Sequence, residues 1–333
     1  MKVFDRMAFV TEAHFREITT IRVSRPAMIL EAAGKRKRRA QFVPDGRMNI
    51  VAADHPARGS VAIGEEPFAM AGRHELLARL VSALQSEWVD GVLASMDILE
   101  ELLILNELMR DEGRTFLEEK LLIASLNRGG LPGAVWELDD PVTGTDADTC
   151  GRYGIDAAKM LLRIDVSSPD VLKTIRYCAE GVREMNRLEL PVILEPLPVE
   201  RVQNSYRVVR EPDPLIRLIG VTSALGNSSR NLWLKIPYTR EFSRVAASTT
   251  LPIVILGGDR SGQLEDHLTE IAEALTSGHQ VRGVMYGRNV LYPQELDPGT
   301  VAAAFGKLVH GPTGPHETIE QLKKELNLQR ENR

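Results

Sequence analysis

Cysteine is scarce in this chain. Its two residues, Cys150 and Cys178, have no metal-ligand spacing and provide no disulfide framework. Long apolar runs are missing too, since none approaches the roughly 18 residues that a membrane span requires. The first residues, Met1 to Met7, carry no apolar signal segment. These points predict a cytoplasmic protein with no membrane partner. Nor is there an excess of positive charge. The 41 Lys and Arg against 46 Asp and Glu leave a net charge of −5, which argues against nucleic acid as a partner. One basic run stands out, Lys35-Arg-Lys-Arg-Arg39, and reads as a solvated helix end or loop. Contact with an anionic ligand or a neighbouring subunit is its functional alternative.

What the chain does contain is ordinary in bulk and ordered in detail. With 43% hydrophobic and 26% charged residues it has a globular composition. A length of 333 residues suits two modest domains or one large α/β barrel with an extension. Residues 1–45 form an N-terminal extension with one predicted helix, about 25–38, with Pro26 in its first turn. Eight short apolar runs follow, at 48–53, 91–95, 121–126, 157–164, 191–194, 232–236, 252–256 and 283–286. Most are separated by amphipathic stretches such as 73–86, 98–112, 169–188 and 264–276. Strands alternating with helices predict βαβ units and a parallel sheet. Eight units over about 250 residues match a (β/α)8 TIM barrel. A doubly wound sheet would want a Gly-rich fingerprint after the first strand, and Asp54-His-Pro-Ala-Arg-Gly59 is not one. The barrel is assigned to 46–312, and 313–333 to a charged helical tail. The connection 127–148, long and rich in Gly and Pro, is expected to overhang the site.

In such a barrel, catalytic groups stand where strands end. Asp54 follows the first strand, with His55 after it. On the fourth strand, period-two alternation puts Lys159, Leu161, Arg163 and Asp165 on one face. Glu195 closes the fifth strand and Lys235 the sixth, with Tyr238 just beyond. The seventh and eighth strands each run into glycine, at Gly257-Gly258 and Gly287-Arg288. Glycine lets backbone N–H groups approach an anion, and Arg288 adds a guanidinium, so these ends form a candidate phosphate cradle. Any one of these charges could be a structural ion pair. Together they supply an amine nucleophile, a second cation, two carboxylates and a phosphate site.

An amine attacks a carbonyl only when neutral, and desolvation or a nearby cation such as Lys159 or Arg163 favours that form. Asp54, Glu195 and Tyr238 are the candidates for moving protons. A metal-dependent aldol site would need histidines at several strand ends, and only His55 of the seven is so placed, so neither metal nor other cofactor is expected.

These residues resemble the class I aldolases of the deoxyribose-phosphate, archaeal-type fructose-bisphosphate and tagatose-bisphosphate aldolase group. Lys235-Ile-Pro-Tyr-Thr239 resembles the Schiff-base lysine motif, and the ends of strands 7 and 8 resemble the group's phosphate-binding segments. The stretch 154–165 is similar to the tagatose-bisphosphate aldolase fourth strand, which maps a substrate-side lysine onto Lys159. Glu195 and Asp54 match the carboxylates closing the fifth and first strands. The archaeal-type enzymes carry an aromatic acid/base on the fifth strand, where this chain has Glu195. Within the group, the chain looks most like actinobacterial aldolase-like proteins associated with inositol catabolism. That likeness implies cleavage of 2-deoxy-5-keto-gluconate 6-phosphate to dihydroxyacetone phosphate and malonate semialdehyde. The expectation is a class I aldolase acting on a phosphorylated sugar and forming a homo-oligomer. Arg163, Gly257, Gly258, Gly287 and Arg288 are expected to bind substrate. A phosphosugar isomerase or epimerase, or a non-catalytic phosphosugar-binding protein, is the alternative.

Overall fold

The computed structural model describes residues 4–257, 263–294, 296–312 and 314–331. Two helices precede the first strand rather than the single one expected. Helix α1 (Glu12–Ser24) starts at Thr11, whose hydroxyl accepts from the His14 N–H, and α2 (Ala27–Lys35) follows Pro26. Proline disfavours the helical conformation in the residue before it, and Arg25 accordingly sits at φ −144° and ψ 51° between the two helices.

The barrel units then follow in order. They are β1 (Met48–Ala52), α3 (Arg73–Leu84), β2 (Gly91–Ala94), α4 (Met96–Asp111), β3 (Leu121–Ser125), the short α5 (Ala147–Arg152) and β4 (Ala157–Ile164). The second half runs α6 (Val171–Arg187), β5 (Val192–Val202), β6 (Ser205–Val208), α7 (Pro212–Ser223), β7 (Leu232–Pro237), α8 (Phe242–Ala246) and β8 (Ile253–Leu256). It closes with α9 (Leu264–Thr276), β9 (Val281–Tyr286), α10 (Arg288–Leu291), α11 (Pro298–His310) and α12 (Pro315–Glu331). Among the described residues, β1–β5 and β7–β9 pair in parallel, and β9 beside β1 shuts the ring. This is the (β/α)8 barrel that the alternation predicts. One strand was not foreseen: β5 runs on past the ring and folds back as an antiparallel hairpin with β6.

Period two decides which side chains fill the barrel. Ile50, Ala52, Leu93, Ile123, Ala157, Ile193, Val254 and Met285 pack together inside it, with Trp233 against them. Their neighbours Val51, Val92, Leu122, Ala158 and Leu194 face outward into the core shared with the helices. One step further up the inward face, Ala52 gives way to Asp54, Ala157 to Lys159, Ile193 to Glu195 and Trp233 to Lys235. The apolar plug therefore ends in a charged layer at the C-terminal mouth.

The basic run is solvated in part: Lys35, Lys37 and Arg38 are exposed at and beyond the end of α2, but Arg36 is not. Arg36 is fully buried at the opposite end, donating to the carbonyls of Lys120 (2.6 Å) and Gly154 (2.8 Å) and to Asp156 (3.1 Å). Arg38 holds the other oxygen of Asp156 at 3.0 Å, and Arg39 holds Asp90 at 2.7 Å. The His310 ring lies between Asp45 (2.6 Å) and Asp90 (2.7 Å). The extension thus clasps the floor of the barrel. The tail helix α12 packs on α9 and α11 through buried Ile319 and Leu322.

Candidate active site

Four charged side chains of the mouth form one continuous chain of contacts, and a fifth joins them. Lys235 Nζ lies 3.1 Å from Glu195 Oε2. Lys159 Nζ donates to that same oxygen and, at 3.3 Å, to Asp54 Oδ2. Arg128 grips Asp54 through Oδ2 (2.9 Å) and through its backbone carbonyl (Nε, 2.8 Å). The Ser125 hydroxyl adds a bond to Oδ2 at 3.1 Å. The order Arg128, Asp54, Lys159, Glu195, Lys235 alternates in sign, and all five side chains are buried. Buried charge is tolerated only with such pairing.

The environment fixes protonation states. Burial alone would raise the Glu195 carboxyl, but the ammonium groups of Lys159 and Lys235 outweigh it and bring it to about 2. Asp54 is likewise held well below the ordinary carboxylate range, by Arg128 and Lys159 against burial. Burial pushes the Lys159 ammonium down, against the pull of Asp54 and Glu195. His55 falls to about 3 through burial, so its ring is neutral at physiological pH.

A cavity of about 890 Å³ opens above this layer. Asp54, His55, Lys159, Arg163, Glu195, Lys235, Gly257, Gly287 and Arg288 all line it, so the structure brings most of the predicted site together. The glycines have packing reasons of their own. A Cβ at Gly287 would lie 2.6 Å from the Ala52 carbonyl and 2.5 Å from the His55 ring, and one at Gly257 would lie 2.6 Å from the Tyr286 ring. Gly258 lies outside the described residues.

Two predicted site residues stand differently. Tyr238 is absent from the cavity wall: its ring stacks on Phe242 at 5.7 Å and its hydroxyl donates to Glu273. With Lys235 inward, alternation and the Pro237 turn send Tyr238 to the helix side. Arg163 does reach the cavity, but its charge is engaged by Glu137 at 2.5 Å, a residue of the loop after β3.

That loop overhangs the mouth as expected, and it carries residues that sequence reasoning does not single out. Asn127 extends the β3–β4 pairing with its side chain, donating to the Leu161 carbonyl and accepting from the Leu161 N–H, both at 2.7 Å. Arg128 follows directly, at the tip of a barrel strand, which is the one signal that could have found it. Glu137 also takes the Ser205 hydroxyl of the hairpin at 3.2 Å. The hairpin itself was readable in Val199-Glu-Arg-Val202 and Ser205-Tyr-Arg-Val208, two short alternating runs about Gln203-Asn204.

The closed ring defines a TIM-barrel protein with a charged layer at its C-terminal mouth. A family profile described as Cgl0159-like matches residues 46–307, and the chain belongs to that family. The crystal structure of Cgl0159 from Corynebacterium glutamicum is 36% identical, with a TM-score of 0.85 over 91% of this chain and 99% of that one. An uncharacterized aldolase of Saccharolobus solfataricus is 30% identical over 144 residues, 42% of this chain. That match spans 49%, about half, of the relative's length. An archaeal fructose-1,6-bisphosphate aldolase, solved with its catalytic lysine covalently bound to the carbinolamine intermediate, is 21% identical. It superposes with a TM-score of 0.58 over 85% of this chain and 100% of that one, a likeness of fold.

Proposed function

We propose that the protein is a class I aldolase that makes or breaks a C–C bond in a phosphorylated ketose or keto-acid sugar through an imine on Lys235. The observation that carries this reading is the relay in which Lys235 and Lys159 share Glu195 Oε2 beneath an open cavity. An imine requires an amine that can shed its proton and a nearby group that returns one. Glu195, 3.1 Å from Lys235 Nζ, accepts the proton that frees the amine. The amine adds to the keto carbon, and the Lys159 ammonium protonates the carbinolamine oxygen, which leaves as water. The iminium then draws electrons from the adjacent C–C bond while Lys159, now neutral, takes the hydroxyl proton of the departing carbon. An aldehyde leaves, Glu195 gives its proton to the enamine carbon, and water releases the ketone and restores the Lys235 ammonium. Asp54, fixed by Arg128, keeps Lys159 in place.

The substrate phosphate is assigned to the ends of β8 and β9, at Gly257, Gly287 and Arg288, which line one side of the cavity. The resemblance noted above makes 2-deoxy-5-keto-gluconate 6-phosphate one candidate substrate. A cytoplasmic homo-oligomer completes the proposal, with sedimentation as the check on assembly.

Borohydride trapping in the presence of phosphorylated ketoses, followed by mass mapping, tests the imine. The expected adduct is on Lys235. An adduct on another lysine, or turnover with none, would sink the assignment, and an isomerase would return isomerised sugar without an adduct.

A further inference from the structure

The cavity wall carries more cations than the imine chemistry uses. Lys159, Lys235, Arg128, Arg163 and Arg207 each hold a protein carboxylate. Arg58 does not. Among the described residues no carboxylate lies within ion-pair distance of it, although it lines the cavity and is half-buried. It leaves the short helical turn after β1 and reaches the loop after β3, where its Nε donates to the Gly130 carbonyl at 3.2 Å. Arg163 Nη2 donates to that same carbonyl at 2.8 Å.

Two guanidiniums therefore converge on one neutral oxygen, with Glu137 the only carboxylate among the described residues paired to either. Gly130 makes the convergence feasible, since a Cβ there would lie 2.7 Å from Arg163 Nη2 and 2.5 Å from the Glu137 carbonyl. Burial pushes the Arg58 guanidinium down, and Arg163 and Arg128 add to that, outweighing the opposite pull of Asp140 and Glu195. A guanidinium deprotonates in no ordinary protein setting, so the stress is relieved by an anion. Arg288 follows Gly287 at the end of β9, whereas Arg58 and Arg163 meet on the loop after β3.

We propose that Arg58, held beside Arg163 on the Gly130 carbonyl, binds a second anionic group of the substrate. This rests on the reading of the cavity as a phosphosugar site and narrows it: the sugar carries a phosphate near Arg288 and a carboxylate or second phosphate near Arg58. Arg58 is then the residue that separates such sugars from simple ketose monophosphates.

Calorimetric titration with three sugar derivatives that have no ketone or aldehyde tests this without any need for an imine. The ligands are glucitol 6-phosphate, 6-phosphogluconate and glucitol 1,6-bisphosphate. The native protein should bind at least one two-anion ligand about tenfold or more tighter than glucitol 6-phosphate, the scale of one charge-assisted contact. Whichever is favoured identifies the second anion as carboxylate or phosphate. Arg58→Met should erase the preference, and Arg58→Lys should keep part of it. Equal affinities in the native protein, or an unchanged preference in Arg58→Met, would overturn the proposal. A preference that depends on Arg58 without a borohydride adduct would keep the second anion site and remove the aldolase. An adduct on Lys235 with no preference would do the reverse.

Discussion

Lys159 and Lys235 meet on a single carboxylate oxygen, Oε2 of Glu195. The arrangement makes the two amines unequal. Lys159 is also bound to Asp54 and held from two sides, whereas Lys235, among the described residues, pairs with Glu195 alone and ends at the cavity.

That inequality separates the two substitutions. Lys235→Met should abolish both cleavage and the borohydride adduct. Lys159→Gln should leave the adduct on Lys235 while slowing turnover by about 10²–10⁴-fold, the usual weight of a general acid–base group. Mass mapping beside steady-state rates measures both, and loss of the adduct in Lys159→Gln alone would reverse the roles.

Tyr238→Phe should leave kcat and KM unchanged, because the hydroxyl serves Glu273 outside the cavity. A drop in kcat of the size expected for a proton-transfer group would return Tyr238 to the mechanism.

Glu137→Leu should destabilise the protein by about 3–5 kcal/mol, since it leaves the Arg163 guanidinium buried without its partner. Urea unfolding reads the loss. Protease sensitivity at 203–204 should rise as well, because Ser205 loses its bond to the same carboxylate.

His310 sets a pH dependence on the far side of the barrel. Burial lowers its pKa, but Asp90 and Asp45 outweigh this and raise it above 6.5. A raised folded value means stability that is fully present below the unfolded value of about 6.5 and lost as pH climbs through the folded one. Thermal unfolding should show that decline in the native protein and little of it in His310→Gln. Parallel curves for the two would contradict the ion pairs.

The ring and the charged layer were legible because period-two alternation places Asp54, Lys159, Glu195 and Lys235 directly above apolar inward positions. The long β5 was not. Pro196 and Pro198 argue against a strand, since proline cannot donate to a ladder. The strand survives because β7 pairs with β5 only over Val192–Leu194, which leaves one edge without a partner where the prolines fall. Tyr238 misled for a related reason: nearness in sequence to Lys235 says nothing of the face once the strand has ended. Arg58 and Arg128 were hidden because their partners, Gly130 and Asp54, lie 72 and 74 residues away.

The clasp on the barrel floor also orders events in time. Arg36 is made early, yet the oxygens it binds belong to Lys120, Gly154 and Asp156, and Asp45 waits for His310, 265 residues later. On a ribosome α1 and α2 can therefore pack on α4 once two strands have emerged, whereas the Arg36 clasp waits for Asp156 at the foot of the fourth, and the last fastening closes only when the helix that carries His310 is complete. The segment ahead of β1 thus docks in stages, first on α4 and last through Asp45 and His310, so its basic run fastens parts of the barrel made at widely separated times.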